Sequence, residues 1–282
     1  MAEEPVVAIA IISWNVKEAV RSCLASIDRV ADVPFELFVV DNHSIDGAAE
    51  LAMAYVPQNP RCVRYTPLLN DRNRGYGTAA NQAIQEKRAP YFLLLNQDTV
   101  LPPQALSTLI RTAETASDIG LVGVHLLNAD GSLQQSVSDF PSFFGQLARR
   151  LGVAKRGPRF DYSKTQNVDV IKGAVMLFTP QALECVSGFD EGFFLWFEEN
   201  DYCARLHAAG LRAVYTPEVT VTHVGQTAFV KVSWWTRQWI WNQSIRRYFC
   251  KQNGIVAGMA MGVLDPLCMF VGMALARLQK RK

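Results

Sequence analysis

The sequence predicts an α/β protein with a mainly parallel sheet flanked by helices. Short apolar runs rich in β-branched residues recur along the first half, and stretches of helical character separate them. Several of these runs end in polar residues such as Asp41-Asn42 and Asn96-Gln97-Asp98. Such alternation reads as βαβ units, whose strands are buried on both faces and therefore look continuously apolar.

Residues 6–12 form the first buried strand and 17–27 a helix. Residues 35–40 are a second strand, after which Asp46 is positioned to cap a helix running toward Tyr55. A short strand at 63–65, a helix at 78–87 and a strand at 91–95 follow. Residues 103–115 read as a helix with proline in its first turn, and 119–124 as a fifth strand. Asn128-Ala129-Asp130-Gly131 signals a hairpin turn, and 140–165 a variable loop or short helix. Strand character resumes over 168–178. A helix over 199–209 is stopped by Gly210, and 212–215 is a last strand. No internal repeat or low-complexity stretch is present.

With 282 residues, 49% hydrophobic and 19% charged, the chain is long enough for one large domain and an appendage. Residues 231–282 hold nine basic residues against Asp265, a net of +8, whereas the rest, with 19 basic and 25 acidic, is −6. A mildly acidic body with a basic, apolar tail predicts an anionic membrane surface as partner and no nucleic acid. The six cysteines form no CxxC pair, as expected of free thiols in a reducing compartment. The opening Met1-Ala2-Glu3-Glu4-Pro5 is acidic and no cleavage-like site follows. The expected location is therefore cytoplasmic, peripheral at the inner face of the cell membrane.

In open α/β sheets, ligands bind beyond the carboxyl ends of the strands, and Asp41 and Asp98 both fall there. A strand-end carboxylate such as Asp98 is a natural ligand for a hard divalent cation. The Glu198-Glu199-x-Asp201 cluster offers carboxylates for general base work. If a helix starts there, Glu198 and Asp201 share one face and Glu199 points elsewhere.

Four segments coincide in order: Val39-Val40-Asp41-Asn42-His43-Ser44-Ile45-Asp46-Gly47, Asn73-Arg74-Gly75-Tyr76-Gly77-Thr78-Ala79-Ala80-Asn81, Leu93-Leu94-Leu95-Asn96-Gln97-Asp98, and Gly188-Phe189-Asp190-Glu191 through Phe197-Glu198-Glu199-Asn200-Asp201-Tyr202-Cys203-Ala204-Arg205 with His223-Val224-Gly225 beyond. Together they resemble the family 2 glycosyltransferases of the GT-A fold, particularly the bacterial rhamnosyltransferase-like branch. The resemblance runs from about Val6 to Gly225. It implies inverting, metal-dependent transfer of a sugar from a nucleotide diphosphate donor to a saccharide acceptor.

Carried over residue by residue, the resemblance puts Asp41 on the pyrimidine N–H of the donor and Asn73 and Gly75 in the loop near the nucleoside. Asn96 stands in the first place of the family's Asp-x-Asp, as in the branch, and Asp98 in the last. Asp98 and His223 are the expected contacts of Mg²⁺ or Mn²⁺ or of the diphosphate. The family's Glu-Asp-x-Asp reads Glu-Glu-x-Asp here, which makes Glu199 the favoured base, with Asp201 second and Glu198 a further candidate. Ser44 and Asp46 are expected to shape their loop, and Asn81 to pack its helix. The branch implies dTDP-rhamnose as donor, a UDP-linked sugar being the alternative, in bacterial cell-surface polysaccharide synthesis. A sugar-nucleotide pyrophosphorylase would want a glycine-rich basic loop where Ser13-Trp14-Asn15-Val16 stands. The retained carboxylates argue against a non-catalytic assembly partner.

These features predict a GT-A domain over 1–228 and a helical, basic and aromatic segment over 229–282. Ser233–Trp241 carries four tryptophans beside Arg237, a composition of membrane interfaces. The apolar run 254–276 is interrupted by Asp265-Pro266, which predicts two short helices lying on a membrane rather than one span. A lipid-linked saccharide acceptor follows from that surface. A homodimer interface is the competing use of the same exposed apolar residues.

Overall fold

The structure, a computed structural model, describes residues 3–153, 160–225 and 232–279. Its first half is β1 (Val7–Ser13), α1 (Lys17–Val30), β2 (Phe35–Asp41), α2 (Ala48–Ala54), β3 (Cys62–Leu69), α3 (Tyr76–Glu86) and β4 (Tyr91–Asn96). Next come β5 (Thr99–Val100), α4 (Ala105–Ala113), β6 (Ile119–Leu127), β7 (Leu133–Gln134), β8 (Val137–Ser138) and α5 (Phe143–Arg150). The remainder is β9 (Gln166–Val168), β10 (Val170–Ile171), β11 (Val175–Phe178), α6 (Pro180–Val186), α7 (Glu198–Ala208), β12 (Arg212–His223), α8 (Trp234–Asn253) and α9 (Ile255–Gln279).

The main sheet has the order β3-β2-β1-β4-β11-β6-β12-β5. The strands β1 to β4 are mutually parallel, as the alternating pattern implies, and β6 runs parallel to β12. The sheet as a whole is mixed, because β11 enters antiparallel between β4 and β6 and the short β5, β7 and β9 pair antiparallel at its margins. Every residue of β1 and β2 is buried, and each sheet face carries its own apolar cluster. Each large apolar side chain removed from water contributes roughly 1.5–3 kcal/mol, so the burial of these two strands on both faces is a large part of what holds the sheet.

Three expectations from the sequence need correction. The run 168–178 is three strands, not one. Lys172 and Gly173 turn the chain between β10, which pairs with β8 in a separate two-stranded sheet, and β11, which rejoins the main sheet. The last strand extends to His223 rather than ending at Tyr215, since a register shift lets β12 continue pairing with β6. The apolar run 254–276 is not two short helices: it lies within α9, one helix of 25 residues that continues through Asp265-Pro266.

Tertiary contacts explain that continuity. Pro266 has no N–H to donate to the carbonyl one turn back; that carbonyl, Gly262 O, accepts instead from Asn242 Nδ2 of α8 at 2.8 Å. Asp265, buried in the apolar helix, is paired with Arg150 Nε of α5 at 2.8 Å and accepts from Gln146 Nε2 at 3.3 Å. The Arg150 guanidinium also stacks on Trp241, 4.8 Å from the ring centroid. Met261, Asp265 and Met269 form a buried stripe against α8 and α5, whereas Val256, Met259, Val263, Leu267 and Phe270 are exposed. The expected boundary between residues 228 and 229 lies outside the described residues.

Replacing Arg150 by Met should destabilise the fold by about 3 kcal/mol, because Asp265 is left buried without its cation. Adding Asp265→Leu should recover most of that loss, to within about 1 kcal/mol of the parent. Urea unfolding of the two variants checks both, and equal stability of Arg150→Met and the parent would show that the pair contributes nothing.

Candidate active site

Parallel pairing ends β2, β1 and β4 nearly flush: Ser13 is level with Asp41, and Ile12 with Asn96. Asp41 is buried. Its Oδ2 accepts from Ser44 N at 2.8 Å, while Oδ1 is buried with no hydrogen-bond partner among the described residues. A buried acceptor left open in this way is costly unless a ligand donates to it. Ser44 Oγ accepts from Asn15 N at 2.8 Å, and Asp46 accepts from Lys17 N at 2.8 Å and Ala48 N at 3.2 Å. These two residues therefore hold the loop to the start of α1.

The loop before α3 is fixed from two sides. Asn42 Nδ2 donates to Gly75 O at 3.1 Å, and Asn73 Oδ1 accepts from Gly75 N at 2.9 Å. Gly75 has φ +89°, and a Cβ there would stand 2.5 Å from the Phe194 carbonyl oxygen. The close backbone approach at this glycine is thus to the 193–197 turn, which Tyr76 N also contacts by donating to Phe194 O at 2.9 Å. Asn81 ties α3 to the same region, accepting from Phe189 N at 2.8 Å and donating to Phe189 O at 2.9 Å.

Beyond β4, antiparallel pairing of Thr99 with His223 brings the end of β12 beside Asp98. His223 Nε2 lies 3.2 Å from Asp98 Oδ1 and 3.1 Å from Asn96 Nδ2. His223 Nδ1 lies 2.6 Å from Gln134 Oε1, an oxygen that can only accept, so Nδ1 carries the proton. In a neutral imidazole Nε2 then accepts from Asn96 Nδ2, and in the imidazolium it donates to the Asp98 carboxylate. Burial opposes ionisation of Asp98, but the His223 hydrogen bond and charge and backbone amides outweigh it and hold the carboxyl below its usual range. Gln97 faces elsewhere, accepting from Trp14 N at 2.7 Å. Among the described residues there is no group of three or more His, Cys, Asp and Glu that could hold a metal. One carboxylate and one imidazole still suit a hard cation that takes its remaining ligands from phosphate and water.

The acidic cluster follows a strained turn. Trp196 and Phe197 have φ +65° and +69°, the left-handed region that bulky residues rarely occupy, at about 1–3 kcal/mol each. One face of α8 holds them. Ser244 Oγ donates to Leu195 O at 2.7 Å, Trp241 packs 5.0 Å from the Phe197 ring and 5.7 Å from Trp196, and Tyr248 packs 5.4 Å from Phe197. Arg247 Nη2 meets Asp190 at 2.7 Å, and Lys251 Nζ bridges Asp190 at 2.6 Å and Asp201 at 2.5 Å.

The turn sends the three carboxylates in different directions. Asp201 is fully buried, pairs with Arg205 Nε at 2.9 Å as well as Lys251, and faces α8. Glu198 and Glu199 line a cleft of about 510 Å³ together with Tyr76, Asn96, Lys172, Trp196 and His223. The expectation that Glu199 points away from the other two is not met, because α7 begins at Glu198 and the first turn aims both glutamates into the cleft. Burial, and then the neighbouring Glu199, push Glu198 well above the ordinary carboxyl range. Burial also raises Glu199, but the amides of the helix start and the Lys172 ammonium pull it back. Both carboxyls are raised, and it is Glu199 on which the Lys172 ammonium acts.

Tyr76, Gln134, Lys172 and the α8 cations did not stand out in the sequence as site residues. Tyr76 lies inside the second motif, where its hydroxyl sits 2.9 Å from Asn96 Oδ1 and 2.8 Å from Gly173 O. Lys172 carried one signal, a lone basic residue between an apolar run and Gly173. Gln134, on a hairpin strand 89 residues from its partner His223, carried none.

A family model described as glycosyltransferase like family 2 matches residues 5–246. The N-acetylglucosaminyl-diphospho-decaprenol L-rhamnosyltransferase of Mycobacterium tuberculosis is 28% identical over 240 residues, 78% of this chain and 75% of that one. Rhamnosyltransferase WbbL of Escherichia coli is 30% identical over 159 residues, 53% of this chain and 60% of that protein. Among solved structures, the mannosyltransferase PcManGT of Pyrobaculum calidifontis in complex with GDP-Man and Mn²⁺ superposes with a TM-score of 0.61 at 16% identity, covering 97% of this chain and 74% of that one. At this identity the superposition speaks for the fold.

Proposed function

Since the chain belongs to glycosyltransferase-like family 2 and is a glycosyltransferase of the GT-A fold, we propose that it transfers rhamnose from dTDP-rhamnose to a lipid-linked saccharide, by a single inverting displacement. One observation carries the site assignment: the Asn96–His223 pair and the Glu198–Glu199 pair line the same cleft. A donor diphosphate at the first pair and an acceptor hydroxyl at the second then meet across it. The choice of sugar and lipid rests on the activity named for the mycobacterial relative and on the apolar outer face of α9.

In this reading Asp41 Oδ1 accepts from the pyrimidine N–H, and the loop of Asn73 and Gly75 walls the nucleoside. Asp98 and His223 would hold Mg²⁺ or Mn²⁺, which supplies positive charge to the departing diphosphate. Asn96 keeps His223 oriented. Glu199 takes the proton of the acceptor hydroxyl. Glu198, kept neutral by burial, avoids a second negative charge beside it, and Asp201 braces α7 against α8 rather than acting as base. Residues 1–228 would carry the chemistry and 229–282 the attachment to an anionic membrane surface, with α8 also bracing the 193–197 turn. The buried stripe of α9 favours a helix lying in the interface over one that spans.

Asp98→Ala should abolish the metal-dependent part of donor binding in calorimetry with Mg²⁺ or Mn²⁺. Glu199→Gln should leave donor affinity near the parent's and slow transfer by roughly 10²–10⁴-fold. Unchanged turnover in Glu199→Gln would remove it as base.

The base must be ionised, and burial raises its pKa. Activity should therefore fall, as pH is lowered, at a higher pH than an ordinary glutamate would give. A pH–rate profile whose acid limb sits at or below the usual glutamate value would contradict the assignment.

Val256 and Val263, 83% and 61% exposed, lie on the outer face of α9 away from its buried stripe. Replacing both by Glu should reduce flotation with anionic liposomes at low and high salt while sparing donor binding. Equal flotation of variant and parent would exclude this face as the anchor.

A further inference from the structure

We propose that Lys172 forms an anion subsite on the acceptor side of the cleft, taking the diphosphate that joins the acceptor sugar to its lipid. The proposal rests on the reading of the cleft given above and extends it to a substrate group that the reading leaves without a partner.

Lys172 sits in the turn between β10 and β11, anchored by its backbone N donating to Ser136 O at 2.9 Å. Its side chain lines the same cleft as Glu198, Glu199 and Trp196. The ammonium is half-buried, and the hydrogen bond shown is to a neutral group, Gln135 Oε1 at 3.2 Å. It makes no ion pair at salt-bridge distance among the described residues, although its charge is felt at Glu199. A cation held partly out of water beside a neutral amide costs desolvation energy, which an arriving anion would offset.

The surroundings suit the ligand. Glu199 lines the same cleft, and Arg149 of α5 is near enough for its charge to bear on Lys172. The helix α5 itself packs on α9, and its Phe144 is 82% exposed. The cleft and its surroundings therefore offer a carboxylate, an ammonium, a guanidinium and the apolar surface of α5 and α9. A saccharide joined through diphosphate to a lipid presents hydroxyl, diphosphate and hydrocarbon, the groups that a carboxylate, a cation and an apolar surface suit. The donor diphosphate is served separately by Asp98 and His223, so Lys172 is available for the second one. Arginine in place of Lys172 keeps the charge and glutamine removes it.

The test uses the full chain and farnesyl diphosphate, with farnesol as the uncharged control, followed by calorimetry or competition. Lys172→Gln should weaken farnesyl diphosphate binding about tenfold or more, as loss of a charge-assisted contact does. Farnesol binding and donor affinity should stay within about twofold, and Lys172→Arg should restore most of the loss. Failure of the parent to bind farnesyl diphosphate more tightly than farnesol would overturn the subsite. So would an equal loss for both compounds, or a loss of donor affinity, which would move Lys172 to the donor diphosphate. Turnover separates the two levels of the argument. Lys172-dependent binding without transfer to any lipid-linked saccharide would sink the proposed reaction and leave the subsite standing.

Discussion

The parallel pairing of β1 with β2 and β4 is the constraint on which the cleft depends. These strands are so thoroughly buried that a one-residue slip would turn each side chain to the opposite face of the sheet. Held in register, they bring Asp41 and Asn96 to the same edge on either side of β1. Everything the donor would meet is attached to that edge: the Asp41 loop, the loop of Asn73 and Gly75, and Asp98 with His223 drawn in by the short pairing of β5 with β12.

The proposed acceptor side depends on a different element. The backbone at Trp196 and Phe197 is unfavourable on its own, and it persists because α8 packs on it with aromatic rings, a serine hydroxyl and two cations. Asp190 and Asp201, both within the fourth motif, are engaged in this packing through Arg247 and Lys251. The family match accordingly continues into α8, to residue 246. The 193–197 turn and the helices α8 and α9 thus share a small core of Phe193, Phe197, Ile245, Tyr248, Phe249 and Met261.

The same coupling shapes α9. Its apolar window from Ile255 to Ala274 is long enough to cross a membrane. Yet Asp265 is tied to Arg150, and Gly262 O to Asn242, so one side of the helix belongs to the protein. The other side presents valine, leucine, methionine and phenylalanine to the surroundings. A helix divided in this way suits a surface between water and hydrocarbon.

The order of strands and helices in the first half was legible in the sequence, since fully buried parallel strands are continuous apolar runs with polar ends. Asp41 and Asp98 were legible as candidates because they follow apolar strands at their carboxyl ends, and the Glu198–Glu199 pair because it stands where the resemblance puts an acidic motif. The sequence could not determine which of the three clustered carboxylates faces the cleft, because that depends on two left-handed residues which only packing against α8 makes affordable. Gln134 and Lys172 reach the cleft through a hairpin and a turn whose placement is set by long-range sheet pairing. Asp265-Pro266 looked like a break because local propensity counts a missing N–H and a buried charge as losses. Asn242, Gln146 and Arg150 offset both, and they lie too far along the chain for any local pattern to reveal them. Local chemistry determined what each segment could be, and contacts between distant segments decided which of those possibilities survived.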